Sequence, residues 1–79
     1  MNKISKWIPN MQSITEKHTV GKCPFCQSTN TDFSVVEILN KQGYCSIWCN
    51  NCKEGIHISK MNVSPEMLRV SAIPKDINF

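Results

Sequence analysis

Apolar residues recur at Ile4, Trp7, Ile8 and Met11, the i, i+3, i+4, i+7 spacing of one helical face. Pro9 falls inside that run, where it would remove a hydrogen bond and clash one turn back. The pattern therefore predicts a short helix starting near Pro9, with Met11, Ile14 and His18 on one face and Trp7 and Ile8 ahead of it as an anchor. From residue 31 the character changes. Thr31 to Leu39 is rich in β-branched and aromatic types and reads as a strand. Asn40-Lys41-Gln42-Gly43 is a turn signal with Gly43 suited to a left-handed position, and Tyr44 to Cys49 reads as the returning strand. Ile56 to Ser59 reads as a third, short strand. Ser64-Pro65-Glu66 has the chemistry of a helix start, and the helix is predicted to run through Met67, Leu68 and Val70 and stop before Ile73-Pro74. The residues after it are expected to be loose.

These elements divide the chain into an N-terminal arm (1–20), a central unit (21–59) and a C-terminal helix and tail (60–79). With 79 residues there is room for one small core, of a size that often needs a disulfide or a metal to hold it. Five cysteines make such a staple the main question, and an odd count would leave a disulfide framework with one thiol over. Lys3, Lys6, Pro9 and Asn10 interrupt the first residues, so no secretory signal is visible and no stretch approaches a membrane span. A cytoplasmic, reducing location with free thiols is the expectation, and no membrane partner is expected.

Cys23-Pro24-Phe25-Cys26 and, 22 residues later, Cys49-Asn50-Asn51-Cys52 carry the chemistry. Two cysteines two residues apart chelate one ion from a tight turn, and two such turns close a tetrahedral four-sulfur site. A site with no open position is of the structural kind, since a catalytic zinc keeps a place for water or substrate. A strand out, a turn and a strand back would set the two turns side by side. Cys45 would lie roughly 13 Å along the strand from Cys49, too far to share the ion, and is expected to be a buried filler on the same face. His18 and His57 are not needed as ligands, and His57, between Ile56 and Ile58, is expected to face solvent.

Gly21-Lys22-Cys23-Pro24-Phe25-Cys26 resembles the first knuckle of a zinc ribbon, and Trp48-Cys49-Asn50-Asn51-Cys52-Lys53 the second. The resemblance covers residues 21–59, about half the chain, and within the family it is similar to small phage and bacterial ribbons of the restriction-alleviation type. It implies a small zinc-stabilised α+β fold: a three-stranded antiparallel zinc ribbon with short N- and C-terminal helices and one structural Zn²⁺ on Cys23, Cys26, Cys49 and Cys52. Many ribbons carry Gly after each cysteine pair, where this chain has Gln27 and Lys53. Ribbons of transcript-cleavage factors carry an acidic pair at the hairpin tip. Asn40-Lys41-Gln42-Gly43 has none, so that activity is not carried over. Iron in a rubredoxin-like site is an alternative metal, although those carriers are typically acidic and aromatic-rich.

CPFC also resembles a glutaredoxin-type redox pair. That chemistry places the first cysteine at a helix N-terminus, whereas Gln27 to Asp32 is a polar loop. The redox reading is therefore a minor alternative, and no enzymatic activity is expected. The charge of +3 is uneven: residues 1–22 hold a net +3, 23–59 a net −1 and 60–79 a net +1. Four thiolates on Zn²⁺ would take the central unit near −3. The leading expectation is an adaptor or regulator that binds a protein of the transcription or nucleic-acid machinery. The alternative is direct DNA or RNA binding through the basic arm. Trp7, Ile8, Lys3, Lys6, Lys17, Lys22 and Trp48 are the candidate contacts. Homodimerisation through the arm or a ribbon edge is left open.

Overall fold

The computed structural model describes residues 3–79; Met1 and Asn2, at the start of the arm, lie outside the described residues. Helix α1 runs Lys3–Lys17 and is followed by strands β1 (Thr31–Leu39), β2 (Gln42–Cys49) and β3 (Gly55–Asn62) and a single 3₁₀ turn at Pro65–Met67. The strands form one antiparallel sheet in the order β1-β2-β3.

Helix α1 begins six residues before the predicted start and carries Pro9 inside it. An interior proline is unfavourable by about 3 kcal/mol. Trp7 is completely buried, and burying a Trp or Phe is worth about 3–5 kcal/mol by truncation, which offsets that cost even though the Trp7 indole N–H is buried without a hydrogen-bond partner among the described residues. Ser5 and Pro9 both face solvent, so water can hydrate the carbonyl that Pro9 leaves unpaired. The buried stripe is Trp7, Asn10 and Ile14, with Met11 beside it, while Ile4 and Ile8 are about 45% exposed. His18 is not on that face: it ends the helix in a left-handed conformation (φ 61°), its N–H donating to the Ile14 carbonyl at 3.0 Å.

Strand β1 matches its predicted bounds, and β2 and β3 are longer than predicted. The hairpin turn corrects one expectation. Asn40 and Lys41 take the left-handed positions (φ 50° and 63°), giving the two-residue turn whose twist suits a hairpin, and Gly43 has no positive φ. Glycine is needed at 43 for room: a Cβ there would overlap the Val36 carbonyl. Both pairings slip near this end, between Glu37 and Leu39 and between Gly43 and Cys45.

Alternation sorts the sheet into two faces. Phe33, Val35, Cys45, Ile47, Cys49 and Ile56 share one face, and with Trp7, Ile14, Cys23, Val63 and Met67 they form the core. Cys45, 1% exposed, is the buried filler that the spacing predicted. The opposite face carries Ser34, Ser46 and Trp48, all buried.

The C-terminal helix is much shorter than predicted. Ser64 makes no capping bond with its side chain, and after Met67 the chain becomes extended. Backbone competition explains it: Val35 and Arg69 exchange two hydrogen bonds (2.8 and 3.1 Å) along the open edge of β1. Arg69 also pairs with Asp32 at 3.1 Å and lies 5.5 Å above the Phe33 ring. Nor are the last residues loose. Asn78 accepts from Gly55 N–H (3.2 Å) and Lys3 Nζ (2.6 Å), and donates to the Lys53 carbonyl (2.8 Å) and Glu54 Oε2 (3.0 Å). The terminal segment thus runs from the β1 edge to the β3 edge, where Ile77 packs over Gly55 beside Trp48.

Candidate metal centre

Two turns built on one plan carry the four cysteines. In the first, Cys23 N–H donates to the Ser28 carbonyl (2.9 Å), Gln27 N–H to the Cys23 carbonyl (3.0 Å) and Phe25 N–H to Cys23 Sγ (3.4 Å). In the second, Cys49 N–H donates to the Glu54 carbonyl (2.8 Å), Lys53 N–H to the Cys49 carbonyl (3.0 Å) and Asn51 N–H to Cys49 Sγ (3.4 Å). Gln27 (φ 63°) and Lys53 (φ 65°) both adopt the left-handed conformation that glycine takes without a steric penalty. The two departures from the glycine pattern therefore keep the tight backbone and bear its strain.

The four sulfurs of Cys23, Cys26, Cys49 and Cys52 lie within 4.8 Å of one another. Cys23 and Cys49, the first of each pair, are fully buried, whereas Cys26 and Cys52 sit toward solvent. An inner sulfur of one turn meets an outer sulfur of the other: Cys23 to Cys52 at 3.5 Å and Cys26 to Cys49 at 3.6 Å. Ligands at about 2.3 Å around a tetrahedral ion stand about 3.8 Å apart, so the sulfurs are already at ligand spacing. Cys45, His18 and His57 are not in this group, and His57 is exposed with its Nδ1 2.9 Å from Ser46 Oγ.

Burial and backbone N–H groups pull the thiols in opposite directions. Burial pushes the Cys23 thiol up, against the opposing backbone N–H groups of Cys26 and Phe25. Burial likewise pushes Cys52 up to about 12, opposed by the Glu54 N–H. The Ser28 N–H, then the Asn51 side-chain amide 3.6 Å away, bring Cys26 down to about 6. Backbone dipoles aimed at the sulfurs favour thiolate, but a divalent ion is needed to hold four together.

Asn10 supports the site and was not singled out from the sequence. Although on the helix, it is 5% exposed, and its side-chain amide donates to the Lys22 carbonyl (2.9 Å) and accepts from Gly21 N–H (2.6 Å). It therefore ties α1 to the segment leading into Cys23. The available signal was an amide residue on an otherwise apolar helical stripe. Thr31 Oγ1 adds a bond to the Gly21 carbonyl at 2.6 Å.

The predicted partner contacts separate. Trp7 and Trp48 are buried, 0% and 1% exposed, so neither ring is free to stack on a partner; Trp7 meets Phe25 edge-on with centroids 6.3 Å apart. Lys3 is engaged by Glu54 at 3.2 Å. Ile8 is half-exposed, and Lys6, Lys17 and Lys22 are exposed without an ion pair among the described residues. Comparison with protein-family models, with curated proteins and with solved structures returns no match. What stands is a small α+β fold with four cysteines at metal-binding distance, an arrangement consistent with a zinc ribbon. No helix among the described residues is long and apolar enough to cross a membrane.

Proposed function

We propose that this chain is a non-enzymatic zinc-ribbon adaptor, in which one structural Zn²⁺ on Cys23, Cys26, Cys49 and Cys52 holds a platform for a protein partner. The four-sulfur cluster carries this reading. It is complete without water or substrate, which is the donor set of a structural zinc. Cys26, the thiol nearest to a reactive one, belongs to that set and is not left over for redox chemistry.

The distribution of side chains supports a protein over a nucleic acid. The two tryptophans that could stack on bases are internal and Lys3 is paired, whereas Ile8, Phe25, Ile38, Leu39 and Val70 remain substantially exposed. Nucleic-acid binding draws its support from Lys6, Lys17 and Lys22 and is the second reading. A low-salt mobility-shift assay with single- and double-stranded DNA and RNA separates the two. The adaptor reading expects no shift, and binding that weakens steeply with salt and with Lys6, Lys17 and Lys22 changed to Ala would replace it.

A further inference from the structure

We propose that the tip of the β1–β2 hairpin is a docking site for an acidic segment of a partner protein that inserts an aliphatic side chain. This rests on the adaptor reading and gives it a surface. Ile38 and Leu39 are adjacent, 66% and 67% exposed, at the end of a strand whose other apolar residues are mostly covered. The register slip leaves Ile38 without a partner on β2. Bulges of this kind re-aim side chains at sheet margins. A second slip, opposite Tyr44, places Ser59 and Lys60 against the same end. Between them is a cleft of about 200 Å³ lined by Ile38, Leu39, Gln42, Gly43, Ser59 and Lys60. Gly43, which has no room for a side chain, leaves part of that lining as bare backbone.

Charge indicates what fits. Three cations elsewhere are used internally, Lys3 with Glu54, Lys53 with Asp76 and Arg69 with Asp32, whereas Lys6, Lys17 and Lys22 lie outside this cleft. Lys60 in the cleft wall and Lys41 in the turn have no ion pair among the described residues. Glu37, the nearby acid, accepts from the Lys41 backbone N–H at 3.2 Å. An apolar cleft beside unpaired lysines complements an aliphatic residue flanked by carboxylates. No aromatic ring lines the cleft, so a base has nothing there to stack on. A second copy docked by the same face in a two-fold pair would bring these lysines toward their own counterparts.

The test is an NMR titration of the ¹⁵N-labelled, zinc-loaded full chain with a synthetic peptide, two leucines flanked on each side by aspartate and glutamate. Resonances of Ile38, Leu39, Gln42, Gly43, Ser59 and Lys60 should shift together. Affinity should fall at least tenfold with Leu39→Ser or with serines in place of the peptide's leucines, and several-fold with Lys41→Glu or Lys60→Glu. Three results would overturn the proposal: no shifts at these residues at millimolar peptide, equal shifts with the serine peptide, or equal shifts with oligothymidylate. Cross-linking in the native host separates this from the adaptor reading. A protein adduct unaffected by Leu39→Ser removes the tip site and leaves the adaptor, whereas adducts only to nucleic acid remove both.

Discussion

At single positions the metal-binding turns are held by backbone geometry that side-chain identity opposes. Gln27 and Lys53 sit at φ near 64° because the amide that follows each cysteine pair must reach back to the carbonyl of the first cysteine. A left-handed conformation disfavours a side chain by roughly 1–2 kcal/mol, partly offset by the greater freedom of glycine when unfolded. Gln27→Gly and Lys53→Gly should therefore each raise stability by up to about 1 kcal/mol, and Gln27→Val should lower it, read as the chelator concentration at the unfolding midpoint. Asn10→Ala should lower stability by about 1–3 kcal/mol, since it strips partners from the Gly21 N–H and the Lys22 carbonyl, measured by thermal unfolding of the loaded protein. Cys45 makes a prediction with a sign. Burial pushes its thiol up to about 12 from an ordinary 9, so the fold prefers the protonated form. Its contribution is complete below about pH 9 and is lost as pH rises towards 12, so the wild type should lose more stability over that window than Cys45→Ala. Equal pH profiles for the two proteins would contradict this.

Among the elements, the strands and the ligand turns were legible in the sequence, and the helices less so. A β-rich run, a polar turn and paired Cys-x-x-Cys units are local patterns, and they find each other through a short hairpin. The helix boundaries were decided by tertiary burial. Trp7 draws α1 through Pro9, and the open edge of β1 draws Arg69 out of the helix that Ser64 and Pro65 begin. Nothing in the local pattern of residues 68–79 announces that they join both edges of the sheet. Their role gives a direct prediction: deleting residues 76–79 removes Ile77 and Asn78, so Trp48 should become accessible, with red-shifted emission and stronger acrylamide quenching. Unchanged fluorescence would mean that the terminal segment does not cover that face.

For the molecule as a whole, the arm and the sheet share one core, the terminal segment lies against Trp48 on the other face of the sheet, and both the arm and the terminal segment reach the metal-binding turns. Trp7 packs against Phe25 in the first turn, Asn10 holds the segment entering it, and Lys3, Glu54 and Asn78 tie the start of α1 and the terminal segment to the second. The ion pairs involved are partly exposed and individually weak, so cohesion is assigned chiefly to burial and to the metal. Protons compete with the ion for thiols whose pKa burial raises, as at Cys23 and Cys52, so metal should be released on acidification and retained as pH rises towards neutrality and above. Native mass spectrometry, with and without a strong chelator, tests the central claim most directly. One zinc per chain is expected in the wild type and in Cys45→Ala, and none in Cys23→Ser or Cys49→Ser. Chelation should convert the compact charge-state distribution to an unfolded one. A chain that is compact without metal, or one that retains its zinc when Cys49 is replaced, would contradict it.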